Sequence, residues 1–300
     1  MNEPVLYPAH QQRPLYRRYV TAQSALMQLL CVAATVCILS ILALVMVYVL
    51  IKGLTHLSGD IFTKLPIPPG MEGAPGGLKN ALVGTGILIA LAAAMGIPIG
   101  VLAGTYLSEY SARSWLAAPA RFIADVLTGV PSIVVGILGY ELLVVPMGRF
   151  NGYAGSFALA FIMIPIIART TEEMLRLVPN SYRDASIALG ATKAGTIVRV
   201  VLPAAGGSIL TGIMLAIARV AGETAPLLFT ALGSRLLTLD PSQPFPSLTV
   251  QVFVYATGPY EEEQNLAWAG ILMLITLVFI FNVALRLTVR HLQGKQPDHA

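Results

Sequence analysis

Apolar residues in this chain gather into six long stretches, at about 24–51, 80–107, 121–146, 150–168, 204–233 and 266–288. A hydrocarbon core roughly 30 Å thick is crossed by about 20 apolar residues in a helix. Inside it every backbone N–H and C=O has to be paired internally, so each stretch predicts a helix. No ten-residue alternation points to a membrane barrel. The expected fold class is therefore an all-α membrane protein with six transmembrane helices. The fourth stretch is barely long enough to cross, and the fifth is long enough to require tilt or protrusion.

The connections differ in character. Residues 52–79 hold Pro66-Ile67-Pro68-Pro69-Gly70 and Pro75-Gly76-Gly77, a turn-rich segment with no core of its own. Residues 234–265 include an apolar run, Phe245 to Ala256, too short to cross. It predicts a re-entrant or interfacial element and a possible docking surface, or else a packed loop. Within the second stretch Gly96, Gly100 and Gly104 recur at every fourth residue, a spacing that lets membrane helices approach closely. Pro98, Pro131, Pro165 and Pro226 each predict a kink.

Composition agrees with the pattern: 56% of the 300 residues are hydrophobic and 11% charged, with mean hydropathy +0.74. A soluble domain carries about a quarter charged residues. The net charge of +4 is not gathered into a basic patch with interleaved aromatics, so no nucleic-acid partner is expected. The cations instead flank the apolar stretches on one side of the bundle: Arg13, Arg17, Arg18, Arg113, Arg121, Arg169, Arg176, Arg183, Lys193, Arg199, Arg286, Arg290 and Lys295. The other flanks carry Lys52, Lys64, Lys79, Arg149 and Arg235. The richer side is cytoplasmic by the positive-inside rule, which puts both termini inside. The first stretch is too long for a secretory signal and predicts a retained helix. The expected organisation is a cytoplasmic tail over 1–23, a six-helix permease domain over 24–289 with a cytoplasmic loop over 170–203, and a cytoplasmic tail over 290–300.

Several chemistries find no support in these residues. Cys31 and Cys37 lie six positions apart on one predicted helix, out of register for pairing. His10, His56, His291 and His299 are scattered, with no ligand spacing for a metal. No G-x-x-x-x-G-K-[ST] occurs, so ATP hydrolysis would belong to another subunit. An intramembrane enzyme would need a companion for Glu223 that the stretches do not supply.

Two charges fall inside the fifth stretch. Arg219 and Glu223 are one helical turn apart, opposite in sign and on one face. A charge at the bilayer centre costs from a few to more than ten kcal/mol unless it faces protein or water. The pair predicts either a packing clamp or a pathway in which Arg219 meets a passing anion, because a guanidinium offers a planar fork of donors to oxyanions. Asp125, one turn from Arg121, and Glu141 read as structural.

The loop between the fourth and fifth stretches reads Asp184-Ala185-Ser186-Ile187-Ala188-Leu189-Gly190, then nine residues, then Val200-Val201-Leu202-Pro203. It predicts a short helix from Arg183 to Leu189, a turn at Gly190, and a second helix with Pro203 in its first turn. A peg for a cytosolic partner or an amphipathic connector on the membrane would both fit. The stretch resembles the EAA motif of ABC importer permeases, E-A-A-x-x-x-G-x9-I-x-L-P, with Asp184 for Glu, Ser186 for the second Ala and Val200 for Ile. Gly129–Gly136, Arg169–Leu175 and Ala218–Leu228 are similar to the phosphate-specific permeases of that family, over about residues 80–285.

The resemblance implies the fold of a type I ABC importer permease and the import of inorganic phosphate. Other oxyanions (sulfate, molybdate, a phosphonate) or a scaffold in phosphate signalling are the alternatives. It implies that Asp184, Ala185, Ser186, Leu189 and Gly190 meet an ATPase subunit, and that Arg169 and Arg219, with Glu223, belong to the substrate pathway. The implied partners are a second, homologous permease, an ATPase homodimer that binds the ATP and Mg, and a periplasmic phosphate-binding protein. No cofactor is expected in this chain.

Overall fold

A computed structural model describes residues 14–111 and 114–293. His10, Arg13 and Arg113 lie outside the described residues, as do Lys295, His299 and the ends of both predicted tails. The chain divides into two compact units, residues 1–51 and 52–300. The first is filled by helix α1 (Pro14–Thr55), apolar on every face, in which Cys31 and Cys37 are free thiols.

The second unit is all-helical among the described residues. Its main elements are α2 (Lys79–Glu109), α3 (Ala117–Gly129), α4 (Ser132–Gly139, continuing to Met147), α5 (Gly152–Arg176), α6 (Asn180–Ala188), α7 (Leu202–Ala221), α8 (Ala225–Thr230), α9 (Leu248–Thr257) and α10 (Glu261–Gln293). Among the described residues, five helices are long and apolar enough to cross a membrane. A sixth crossing exists only as α3 and α4 together, bent by 106°. The third predicted helix is therefore corrected to two. Val130 is extended at ψ 129° because the ring of Pro131 bars the helical conformation to the residue before it. By contrast α2 and α5 run on through Pro98 and Pro165.

The fourth and fifth stretches are also redrawn. Helix α5 extends past the apolar run to Arg176, since the charged residues of its last turns are paired rather than bare. Its start is set by Asn151, whose Oδ1 accepts from the Ala154 N–H at 2.8 Å. Pro203 stands in the first turn of α7 as expected, and α7 continues the preceding segment, so that Lys193–Ala221 is one span with a π-turn at Ile197–Val201. A second π-turn, Tyr140–Val144, stands just before Pro146. In each case the wide turn contains the residue four before the proline, whose carbonyl the ring would otherwise strike.

Helix α5 forms the centre of this unit. The main core joins Leu88 and Ala92 of α2, Leu159 and Met163 of α5, and Ala216 and Val220 of α7. The seam between α2 and α5 is set by glycine. A Cβ at Gly100 would lie 2.7 Å from Ile167 Cβ, and one at Gly104 would lie 2.4 Å from the Ala168 carbonyl oxygen. A second core at the α9 end joins Ile61, Leu78, Leu248, Tyr255 and Leu266. The 52–79 connection thus contributes Ile61 and Leu78 to the bundle. The apolar run from Phe245 packs in part: Phe245, Leu248, Val250 and Tyr255 are buried within the chain, while Phe253 and Val254 on α9 stay exposed.

Gly104→Leu forces backbone against side chain at the seam and should lower stability by about 1–3 kcal/mol or more. Gly86→Leu, where an added Cβ meets nothing within 4 Å, should be neutral. Equal melting temperatures of the two variants in detergent would contradict a glycine-set seam.

Candidate functional site

Arg219 and Glu223 form an ion pair, but not in the middle of a helix. Helix α7 ends at Ala221, Gly222 to Thr224 are non-helical, and α8 starts at Ala225 with Pro226 in its first turn. Arg219 thus occupies the last turn of α7, where the helix dipole favours a cation. Glu223 lies in the break with its side chain 6% exposed, whereas that of Arg219 is 55% exposed. The break is held from the side: the Thr249 hydroxyl on α9 donates to the Glu223 carbonyl at 2.8 Å.

The exposed face of α7 carries Ala204, Ser208, Thr211, Leu215 and Arg219, with Gly222 exposed just past its end. A face meeting lipid would present bulky apolar side chains, and this one presents mainly small and hydroxyl residues around an arginine. Such a stripe suits either close approach by another helix or a polar pathway. Opposite the break, α4 meets α8 closely, since a Cβ at Gly136 would lie 2.7 Å from Pro226 Cα. The Gly129–Gly136 and Ala218–Leu228 motifs, far apart in sequence, are therefore one structural unit.

Arg169 is placed elsewhere, on α5, within an ionic cluster shared with α3. Its Nε donates to Glu173 Oε1 at 2.8 Å, and Nη1 lies 3.7 Å from Asp125 Oδ1. Asp125 thus pairs across helices with Arg169, not with Arg121. Arg121 donates through Nε to Glu172 Oε1 at 2.5 Å and through Nη2 to the Leu107 carbonyl at 2.8 Å. Glu172 is 1% exposed and is also bonded by Arg176. Glu172 did not stand out from the sequence, although its spacing of four from Arg176 is the usual signal for a helical ion pair. Helix α3 buries only Ala117 among its residues, so charge does much of the work of holding it to α5.

The axial distance between the two candidate pathway arginines follows from the α5–α7 contact. A Cβ at Gly212 would lie 2.4 Å from Thr170 Oγ1, so these residues are level. At about 1.5 Å per residue along antiparallel helices, Arg219 stands roughly 9 Å further along than Arg169.

The 184–203 segment forms the expected short helix, though α6 begins at Asn180. Gly190 adopts φ +87°, the left-handed turn that glycine allows. Asp184, Ala185, Leu189 and Gly190 are exposed, and Leu189 is 90% exposed. Ser186 is half-buried and shares a hydrogen bond with Thr196 at 2.9 Å. With Tyr182 and Ile187 also exposed, α6 presents a bare, partly apolar face.

Residues 96–294 match the family described as binding-protein-dependent transport system inner membrane component. The chain is 48% identical over 235 residues to the phosphate transport system permease protein PstA of Yersinia pestis, covering 78% of this chain and 79% of that protein. It is 44% identical over 240 residues to PstA of Haemophilus influenzae, covering 80% and 84%. Among solved structures, the inward-facing MetNI methionine ABC transporter superposes with TM-score 0.56 at 20% identity, over 71% of this chain and 93% of that one. An amino acid ABC transporter crystallised with histidines gives TM-score 0.51 at 17% identity, over 73% and 92%. These two are likenesses of fold alone. The chain belongs to the inner membrane components of binding-protein-dependent transport systems and, within them, to the PstA permeases of phosphate transport systems.

Proposed function

We propose that this multi-pass inner membrane protein is the subunit through which an ATP-driven importer passes inorganic phosphate into the bacterial cytoplasm. The observation that carries the reading is Arg219, an exposed cation on a small, polar helix face, fixed at a helix break by a buried carboxylate. Irregular backbone at membrane depth is tolerated where it is buried in protein or lines a cavity. Phosphate bears between one and two negative charges near neutral pH, and a guanidinium can grip two of its oxygens. Glu223 neutralises the cation when no anion is present and keeps its fork oriented. Arg169, engaged by Glu173 and near Asp125, is the second cation of the path and meets phosphate when those pairs open.

The bare face of α6 is the contact for an ATPase homodimer (PstB-like), which binds the ATP and Mg. The α7 stripe faces a second, homologous permease (PstC-like) across the pathway, and a periplasmic phosphate-binding protein (PstS-like) delivers the cargo. Both termini and the α6 end of the bundle are cytoplasmic, in line with the crowding of arginines there.

Two measurements test the reading. Arg219→Gln should lower labelled phosphate uptake by about ten- to a hundredfold, the loss of one charge-assisted contact, with all subunits still assembled in the membrane. Sulfate and molybdate in excess should not compete with the native transporter. Uptake unchanged by the substitution would leave the ion pair a packing clamp, and competition by those anions would move the cargo elsewhere. Leu189→Asp should weaken ATPase association at least about thirtyfold, as loss of an exposed apolar anchor does, and full co-purification would remove α6 as the docking face.

A further inference from the structure

Arg183 stands one residue ahead of the Asp184–Gly190 stretch, and its guanidinium is saturated. Nε and Nη2 clamp the two carboxylate oxygens of Glu109 at 3.2 and 2.6 Å. Nη2 also donates to the Leu175 carbonyl at 2.9 Å. Nη1 donates to the Val178 carbonyl at 2.6 Å and to Asn180 Oδ1 at 3.4 Å. A guanidinium has five N–H donors, and each has its acceptor here.

Those acceptors belong to three different parts of the protein. Asn180 is the first residue of α6 itself, Leu175 and Val178 close the end of α5, and Glu109 is the last residue of α2. Helix α6 buries none of its residues, so it has no apolar anchor of its own in this chain. Its attachment to the bundle is polar, through Arg183 and the Ser186–Thr196 bond. Lys193, from the segment after Gly190, donates to the Glu109 carbonyl at 2.6 Å and lies over the Tyr110 ring. The end of α2 thus receives the helix from one side and the returning segment from the other. Glycine locks α2 to α5, which makes the pair a stiff receiver for any displacement of α6.

We propose that Arg183 is the positioning residue that passes movement of α6 into the α2–α5 pair, so that ATP turnover is converted into movement of the pathway. This rests on the reading of α6 as the ATPase-docking face. Arg183 itself is not part of that face: its side chain is 17% exposed and turned into the bundle. A lysine keeps the charge but has three donors on a single nitrogen, which cannot span acceptors on three elements.

The test uses the complete transporter in proteoliposomes, with both permeases, the ATPase subunits and the binding protein, and labelled inorganic phosphate as the probe. Arg183→Lys should retain the ATPase subunits and their ATP hydrolysis while phosphate delivered per ATP falls about tenfold, the loss of the bidentate grip on Glu109. Glu109→Gln, which leaves the α5 carbonyls capped, should give a smaller fall in the same ratio and decides the matter if the lysine variant does not assemble. An unchanged ratio in the assembled variants would overturn the proposal. So would loss of ATPase subunits from an otherwise intact Arg183→Lys permease pair, since Arg183 would then shape the docking face instead of transmitting from it. The Leu189→Asp complex separates the two ideas: if it keeps its ATPase, the docking reading fails whatever Arg183 does.

Discussion

The close approach of α2 and α5 is the constraint on which the rest of the second unit is built. Lipid gives two apolar helices no hydrophobic reason to associate, so the pair depends on backbone proximity and the dispersion contacts that it allows. Gly100 and Gly104 supply that proximity, and the space left for a larger side chain is nil. Once α5 is fixed, α7 packs on it through Gly212 against Thr170, and α3 is tied to it by the Arg121–Glu172 pair. The stiff pair would also give the proposed transmission from α6 something rigid to act on, which a loosely packed bundle would not.

The breaks are placed where that rigidity ends. Val130-Pro131 divides α3 from α4, and Gly222–Thr224 divides α7 from α8, and the two distal halves meet at Gly136 and Pro226. Each break exposes backbone groups that a continuous helix would pair. Part of that demand is met by side chains from neighbours, as Thr249 does for the Glu223 carbonyl. A crossing assembled from half-helices can shift one half against the other without unpairing a whole helix, which suits a gate better than six straight rods do.

Much of this was legible in the sequence because it is local. Apolar stretches mark the crossings, the Gly96–Gly100–Gly104 period marks the seam, and the i, i+4 spacing of Arg219 and Glu223 marks the ion pair. The Asp184–Gly190 helix and its glycine turn follow from the same kind of reading. What escaped depends on contacts between distant segments. Apolar residues continue from 204 to 233, so hydropathy is blind to a break at Gly222. Pro131 and Pro165 look alike in sequence, yet Pro165 lies within the most deeply packed helix, which continues through it, while Pro131 follows a weakly packed helix and stands at its break. Asp125 has Arg121 one turn away and still pairs with Arg169, 44 positions along, because α5 brings that arginine alongside. Arg183 and Glu109 are 74 residues apart, and nothing local joins them.

In the proposed role of Arg219, its electrostatics would set a balance that a transport site requires and a storage site would not. An isolated guanidinium in a low-dielectric face would bind an oxyanion strongly and release it slowly, because the empty state would leave a bare charge in a costly environment. With Glu223 in contact, the empty state is already compensated, so the arriving anion gains only the difference between two partners. Entry of the proposed phosphate would then compete with Glu223, and its departure would be assisted by the return of Glu223. The carboxylate is the better-buried member of the pair, so it stays while the more exposed arginine is free to swing. The same logic extends to Arg169, which also keeps carboxylate partners of its own. On the proposed pathway, two compensated cations about 9 Å apart along the helix axis would form a pair of shallow wells, and an anion can step between shallow wells where it would be trapped in a deep one.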